Sequence, residues 1–328
     1  MTNQTLSNHG VPLSISDIDL LIAKLTMKPQ EGPSISMNGH SRSLKERIAE
    51  ITLKVEEATH QLRDIFKTVK WTGNVPIAAI KHDIIPIISQ AAEFPHVFFL
   101  YDEMKQRDEY TYRHNICVGV IAAYIGKWAG LTEQELSELT LAATLHDVGK
   151  MMVKEEILHK PGKLTAAEYE QVKQHTVFGY SLLKKIPNLP PSIALTALQH
   201  HERENGGGYP LQLKGANTHL YAKIVAIADV FHAMSSKRVY HDAMPFYKVI
   251  KQMKEDVFGT FDPSLLLIFL NKIMKSLVGK EVLLTNQRIG RIIMIDPYDP
   301  INSLIQSDNQ IIDLRFQKDI QIDRVLGG

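Results

Sequence analysis

Residues 141–150, Leu-Ala-Ala-Thr-Leu-His-Asp-Val-Gly-Lys, constrain this chain more than any other stretch. An apolar helix runs into His146 and Asp147, and Gly149 and Lys150 follow. Neutral imidazole and carboxylate are both good ligands for a divalent transition metal. Side chains adjacent on a helix point about 100° apart, so this pair can grip a metal only near the helix end, with ligands from other elements. A fold that uses the pair must bring several helices to one point. The chain offers His114, His175, His200, His201 and Asp229, each in an apolar helical context.

Composition narrows the function classes. The chain has 328 residues, 44% of them hydrophobic and 22% charged, enough for a sizeable core and two or three domains. A net charge of +1 with neutral histidines gives no global field toward a nucleic acid polymer or a membrane surface. The single cysteine, Cys117, excludes a disulfide within the chain and reads as a small buried residue in the apolar run Asn115–Gly126. That run is too short to span a bilayer. Residues 1–10 are polar and lack the basic and apolar regions of a signal peptide, which makes the cytoplasm the expected location.

Three regions are expected. Residues 1–95 form a mostly helical accessory region. It starts with weak periodicity over Asp17–Lys28 and a Gly/Pro/Ser-rich linker over Pro29–Arg42. A helix then covers Leu44–Lys67, and another covers Pro76–Glu93 with a kink at Pro86. A regulatory or dimerising role and a structural extension of the next domain are both open for this region. Residues 96–276 are helix after helix. Capping boxes at Thr132/Glu135 and Thr165/Glu168 open the helices that lead to His146-Asp147 and to His175. A glycine-rich loop over Arg203–Gly215 follows the paired histidines, and Asp262-Pro263 starts the last helix. Residues 277–328 change texture to five short strand-like runs separated by turns, expected to form a small β-barrel-like module without ligands. The expected fold class is mainly α.

His146-Asp147 with Gly149-Lys150, then His200-His201-Glu202, then Gly208-Tyr209-Pro210, resembles the HD-GYP family, a subset of the HD-domain metal-dependent phosphohydrolases. The resemblance extends over about Tyr101 to Lys275 and includes Tyr110-Thr-Tyr-Arg-His114, Lys160-Pro-Gly-Lys-Leu-Thr165 and Ile227-Ala-Asp229. It implies an HD-type helical bundle that hydrolyses cyclic di-GMP, a bacterial second messenger, by metal-hydroxide attack at a two-metal site. The implied ligands are His114, His146, Asp147, His175, His200, His201 and Asp229, with Asp147 bridging two ions, iron or manganese. Lys150 is implied as a phosphate contact that acts in catalysis, and Arg238 and His241 as further substrate contacts. The loop at Gly208-Tyr209-Pro210 is expected to shape the pocket or dock a protein partner, and the N-terminal region to support a homodimer.

The sequence departs from the family pattern in three places. Tyr110 stands where some members carry a glutamate for a third metal, with Glu109 one residue away, so two metals are expected. Asn205-Gly206 replaces a usual Asp-Gly, and His232 and Lys237 replace two aspartates after Asp229, leaving the neighbourhood more basic. Two other functions compete with the hydrolase: a catalytically weak receptor for a cyclic dinucleotide, and an HD phosphohydrolase acting on another nucleotide.

Overall fold

The structure, a computed structural model, describes residues 44–93, 110–236, 244, 246–308, 310–317 and 319–326. The expectations for residues 1–43, and the positions of Arg238, Lys237 and His241, lie outside the described residues. Leu44–Gly328 forms one compact unit, so neither residue 95 nor residue 276 marks a break between compact bodies.

The reason for the first difference is a helical stripe. Helix α1 (Leu44–Thr72) buries Ile51, Val55, Ala58, Leu62, Phe66 and Val69, spaced three and four residues apart. A composite helix α2 follows in three segments: Ile77–Ala79, a π-helical turn Ile80–Ile84, and Ile85–Ala91. The π turn falls immediately before Pro86, which has no N–H and whose ring crowds the preceding turn, so the kink expected there takes this form. Both helices lie against α3 (Tyr110–Trp128), which is buried continuously from Arg113 to Gly126. A helix apolar on all sides belongs at the centre of a bundle. Helix α3 also contacts the next helix, α4 (Glu133–Leu145), which the Thr132/Glu135 capping box opens.

The bundle continues through a 3-10 turn at Val148–Met152, α5 (Glu155–Leu158), α6 (Ala166–Lys173), α7 (His175–Leu183) and α8 (Pro191–Gln199). A second 3-10 turn at Gly215–Asn217 leads into α9 (Leu220–Ser235), then α10 (Phe246–Glu255), α11 (Val257–Thr260) and α12 (Pro263–Lys275). Thr165 and Glu168 form the second capping box, and Asp262 caps α12 by accepting from the N–H groups of Ser264 and Leu265. No described helix is long and apolar enough to cross a membrane.

Strands β1 (Glu281–Leu284), β2 (Ile289–Met294), β3 (Leu304–Ser307), β4 (Gln310–Asp313) and β5 (Ile322–Leu326) form one antiparallel sheet in the order β4-β3-β2-β1-β5. The sheet is open, with β4 and β5 as edges, where a barrel-like closure was expected. It buries Val282, Leu284, Ile292, Ile305, Ile312 and Ile322 in a core continuous with that of the helices. Polar ties hold the two together: the Tyr247 hydroxyl donates to the Ile301 carbonyl, Lys254 pairs with Asp299, and Asn271 Nδ2 donates to the Pro297 carbonyl at 2.8 Å.

A chain ending at Lys275 would strip this cover from α10, where Tyr247 is buried in the intact protein, and remove the partners of Lys254 and Asn271. Truncation is expected to lower the midpoint of thermal unfolding, at roughly 2–4 °C per kcal/mol lost for a domain of this size. Calorimetry of both forms checks it; equal midpoints would make the sheet an independent appendage.

Candidate metal centre

Helix α4 is fully buried from Leu139 to Leu145 and delivers His146 as its C-terminal capping residue. Asp147 follows at φ −100° and ψ 7°, where the α-helix gives way to the 3-10 turn. Gly149 makes that turn possible. A β-carbon there would lie 1.9 Å from the His175 carbonyl oxygen and 2.4 Å from the Gly179 nitrogen. The turn therefore lies directly on the first turn of α7, and His175 Nε2 comes to 3.3 Å from Asp147 Oδ1.

The other elements converge on the same point. His114, on central helix α3, places Nε2 3.1 Å from Asp229 Oδ1 and 3.8 Å from Asp147 Oδ2. His146 Nε2 lies 3.3 Å from Asp147 Oδ2. His200, at the end of α8, sets Nε2 3.3 Å from His175 Nε2 and 3.9 Å from Asp147 Oδ1. Three ligand groups result: His175, His200 and His201; His114, His146 and Asp229; and, joining them, His146, Asp147 and His200. Within each group the ligand atoms lie within 4.8 Å of one another. All seven residues that the sequence pointed to as ligands thus come together.

Three of the histidines are oriented by backbone. The Nδ1 of His146, His175 and His200 donates to the carbonyls of Ala143 (2.7 Å), Val172 (2.6 Å) and Ala197 (3.0 Å). A proton fixed on Nδ1 leaves Nε2 with its lone pair toward the pocket, the arrangement usual for a metal-bound imidazole. His146 Nε2 and Asp147 Oδ1 are buried without a hydrogen-bond partner. Buried polar atoms are seldom left unsatisfied unless an ion or a catalytic role accounts for them. Nitrogen and carboxylate donors of this kind fit divalent first-row metals, and the residues present fit such ions.

The electrostatics agree with that donor set. Burial lowers the pKa of His200 and His201 well below the usual histidine value and brings His175 to about 4. Burial also lowers His114, against the opposing pull of Asp229. His146 moves up because the Asp147 carboxylate outweighs its burial. Burial would raise the Asp147 carboxyl, but Lys150 and His146 hold it well below the ordinary aspartate range. Asp229 is likewise depressed, its burial outweighed by His114. Four imidazoles are therefore neutral and both carboxylates ionised near pH 7, the protonation states a metal requires.

Lys150 forms an ion pair with Asp147 Oδ2 from the solvent side, its side chain 26% exposed against 2% for Asp147. Tyr209 stacks on His201, with ring centroids 4.6 Å apart. Gly208 lets its loop pass close to the backbone after the paired histidines, since a β-carbon there would be 2.4 Å from the His201 carbonyl oxygen.

Two residues stand closer to the centre than their sequence context indicated. Glu202 is buried and accepts from the N–H groups of Leu211 (2.7 Å) and Leu213 (2.9 Å), fastening the glycine-rich loop beneath the histidines. Its position next to His201 was the available signal. His232 is buried with its Nδ1 2.8 Å from His114 Nδ1. Its spacing of one helical turn after Asp229 was the available signal.

Two outcomes follow from this geometry. Gly149→Ala is expected to separate the 3-10 turn from α7, lowering both the melting temperature and the bound metal per chain; normal metal content would contradict the close approach described. In chelator-treated protein, folding depresses four histidine pKa values, so the stability these groups contribute is full above the unfolded value of 6.5 and falls as pH drops toward their folded values. His146, raised, acts in the opposite direction but is one group against four. Melting of the metal-free protein is thus expected at a lower temperature at pH 5.5 than at pH 7.5, and a flat or rising profile would count against neutral buried imidazoles.

Comparison with known proteins completes the picture. The HD domain family model matches residues 99–265. The chain is 28% identical over 295 residues to a cyclic di-GMP phosphodiesterase of Pseudomonas aeruginosa, covering 87% of this chain and 70% of that protein. It is 34% identical over 225 residues to a cyclic di-GMP phosphodiesterase of Thermotoga maritima, covering 65% of this chain and 60% of that one. The chain thus spans under two thirds of the second relative's length. In fold it is similar to an HD-GYP-type protein from Bdellovibrio bacteriovorus, with a TM-score of 0.50 at 16% identity over 70% of this chain and 78% of that one. On the strength of the family match and the His-Asp centre it encloses, the chain belongs to the HD-domain family, in its HD-GYP branch.

Proposed function

We propose that this chain is a phosphodiesterase that hydrolyses cyclic di-GMP at a centre of two divalent metal ions. The observation that carries the reading is the joined ligand set: two groups of three, linked by a third in which Asp147 stands with His146 of one and His200 of the other. His175, His200 and His201 would hold one ion, His114, His146 and Asp229 the other, and the Asp147 carboxylate would reach both. Iron or manganese suits this mixture of imidazole and carboxylate; the only cysteine, Cys117, is buried and belongs to none of the groups. Bound ions of this kind supply Lewis acidity and a nucleophile at neutral pH.

The protein's own residues supply the rest. His114, His175, His200 and His201 stay neutral, so they need lose no proton to bind metal at pH 7. Lys150 is the cation between solvent and the buried carboxylate, placed to meet the phosphodiester as it enters and to stabilise charge that grows on it in the transition state. Tyr209 holds His201 from one side, while Glu202 keeps the loop that carries Tyr209 in register. Arg238 and His241, outside the described residues, are proposed as further phosphate contacts on the strength of the family resemblance.

Purified protein assayed against cyclic di-GMP, a mixed guanine–adenine cyclic dinucleotide and mononucleotides, with metal analysis of the same sample, tests the reading. Fully metal-loaded protein that binds cyclic di-GMP without turnover would replace the enzyme by a receptor. Two variants separate the roles. Asp147→Asn removes an anionic ligand oxygen, and metal content and turnover are expected to fall together. Lys150→Ala is expected to keep its metals and lose about 10²–10³-fold in kcat, the usual worth of one preorganised donor. An unchanged kcat would make Lys150 only a partner of Asp147.

A further inference from the structure

The histidine at position 232 is the least expected group near the centre. It is 2% exposed, and it lies on α9 one turn beyond Asp229, so the two side chains share a face of that helix. Its Nδ1 is 2.8 Å from the Nδ1 of His114. Two ring nitrogens at that distance share one proton: one donates and the other accepts. The Nε2 of His114 points the other way, toward Asp229 and Asp147. A ligand at Nε2 needs the lone pair there, which puts the proton of His114 on Nδ1 and makes His232 the acceptor.

His232 then carries its own proton on Nε2, while Ser236 Oγ lies against its ring, 3.1 Å from Nδ1 and 3.3 Å from Nε2. That hydroxyl donates to the His232 carbonyl at 2.6 Å and keeps lone pairs to accept. His114 is thus tied through the ring of His232 to helix α9, where Ser236 packs against that ring. Backbone carbonyls do this work for His146, His175 and His200.

We infer that His232 is the positioning residue of His114, an imidazole whose ring nitrogen fixes the tautomer and ring orientation of a metal ligand. The inference rests on the reading of His114 as a ligand. Losing such an outer partner typically costs 10–100-fold in metal affinity.

The experiment measures Mn²⁺ affinity by calorimetric titration of chelator-treated protein. His232→Phe keeps a ring and most of the volume but has no nitrogen, whereas His232→Asn is smaller and offers an oxygen that accepts. One of the two Mn²⁺ equivalents is expected to weaken 10–100-fold in His232→Phe and to recover most of that loss in His232→Asn. A packing role predicts the reverse order, and that order would overturn the inference. Nitrogen-15 spectra of the wild-type protein loaded with diamagnetic Zn²⁺ give a check that needs no variant. They are expected to show His114 protonated at Nδ1 and His232 at Nε2; a proton on Nδ1 of His232 would overturn the inference. Wild-type protein that takes up no Mn²⁺ at all would instead overturn the reading of the centre, and the inference with it.

Discussion

The carboxylate of Asp147 is 2% exposed and ionised, and the fold is arranged so that it can be. An isolated buried charge is costly, and a protein keeps one only with compensating partners. Here Lys150 supplies the opposite charge from the same turn, and the Nε2 atoms of His146, His175 and His114 gather 3.3, 3.3 and 3.8 Å from the carboxylate, where bound cations would be shared between carboxylate and imidazoles. Each is delivered by a different local device, and each device is a packing decision made elsewhere in the chain. Losing one of those elements would leave the charge with fewer partners as well as removing a ligand.

The most demanding of these devices is the approach of the 3-10 turn to α7. It depends on a missing side chain at Gly149, against which the backbone of His175 and Gly179 lies at contact. The burial of α3 is the complementary demand. His114 can face the pocket from the middle of the bundle because α1 and α2 cover the outer side of α3. The N-terminal helices from Leu44 onward therefore belong to the machinery that presents a ligand, although they carry no ligand themselves.

Much of this was legible in the sequence because it is local. The two capping boxes appear in the structure with both reciprocal hydrogen bonds, and the change to strands after Gly279 falls where the hydrophobic period changes. The residues that gather at the centre were recognisable by type, His146 and His200 also by their place at helix ends, and the full set through the family resemblance. What was not legible depends on distance in space. Helices spanning residues 44–91 look autonomous in sequence, since their stripe of Val55, Leu62 and Phe66 does not reveal what it packs on. The five strands alternate as any small module would, and nothing in Tyr247, Lys254 or Asn271, ordinary residues of α10 and α12, shows in sequence that they tie the strands to the bundle. His232 was marked in the sequence by its place three residues after Asp229, but its contact with His114 appears only with α9 and α3 side by side.

That last residue bears on the charge of the whole centre. A carboxylate behind a ligating histidine adds a negative charge to the site and raises the basicity of the imidazole. A neutral imidazole behind His114 adds none. With four of the five histidines held neutral, the negative charge of the proposed ligand set comes from Asp147 and Asp229, and Lys150 offsets one of them. Two divalent ions in such a site would carry more uncompensated positive charge than in one buttressed by additional carboxylates. In the water-poor interior that charge is weakly screened. A phosphodiester anion is the kind of substrate that gains most from it, because its charge grows on the oxygens as the phosphorus is attacked. On the proposed reading, His232 in place of an acidic neighbour would suit the centre to an anion, while its hydrogen bond holds the ring of His114.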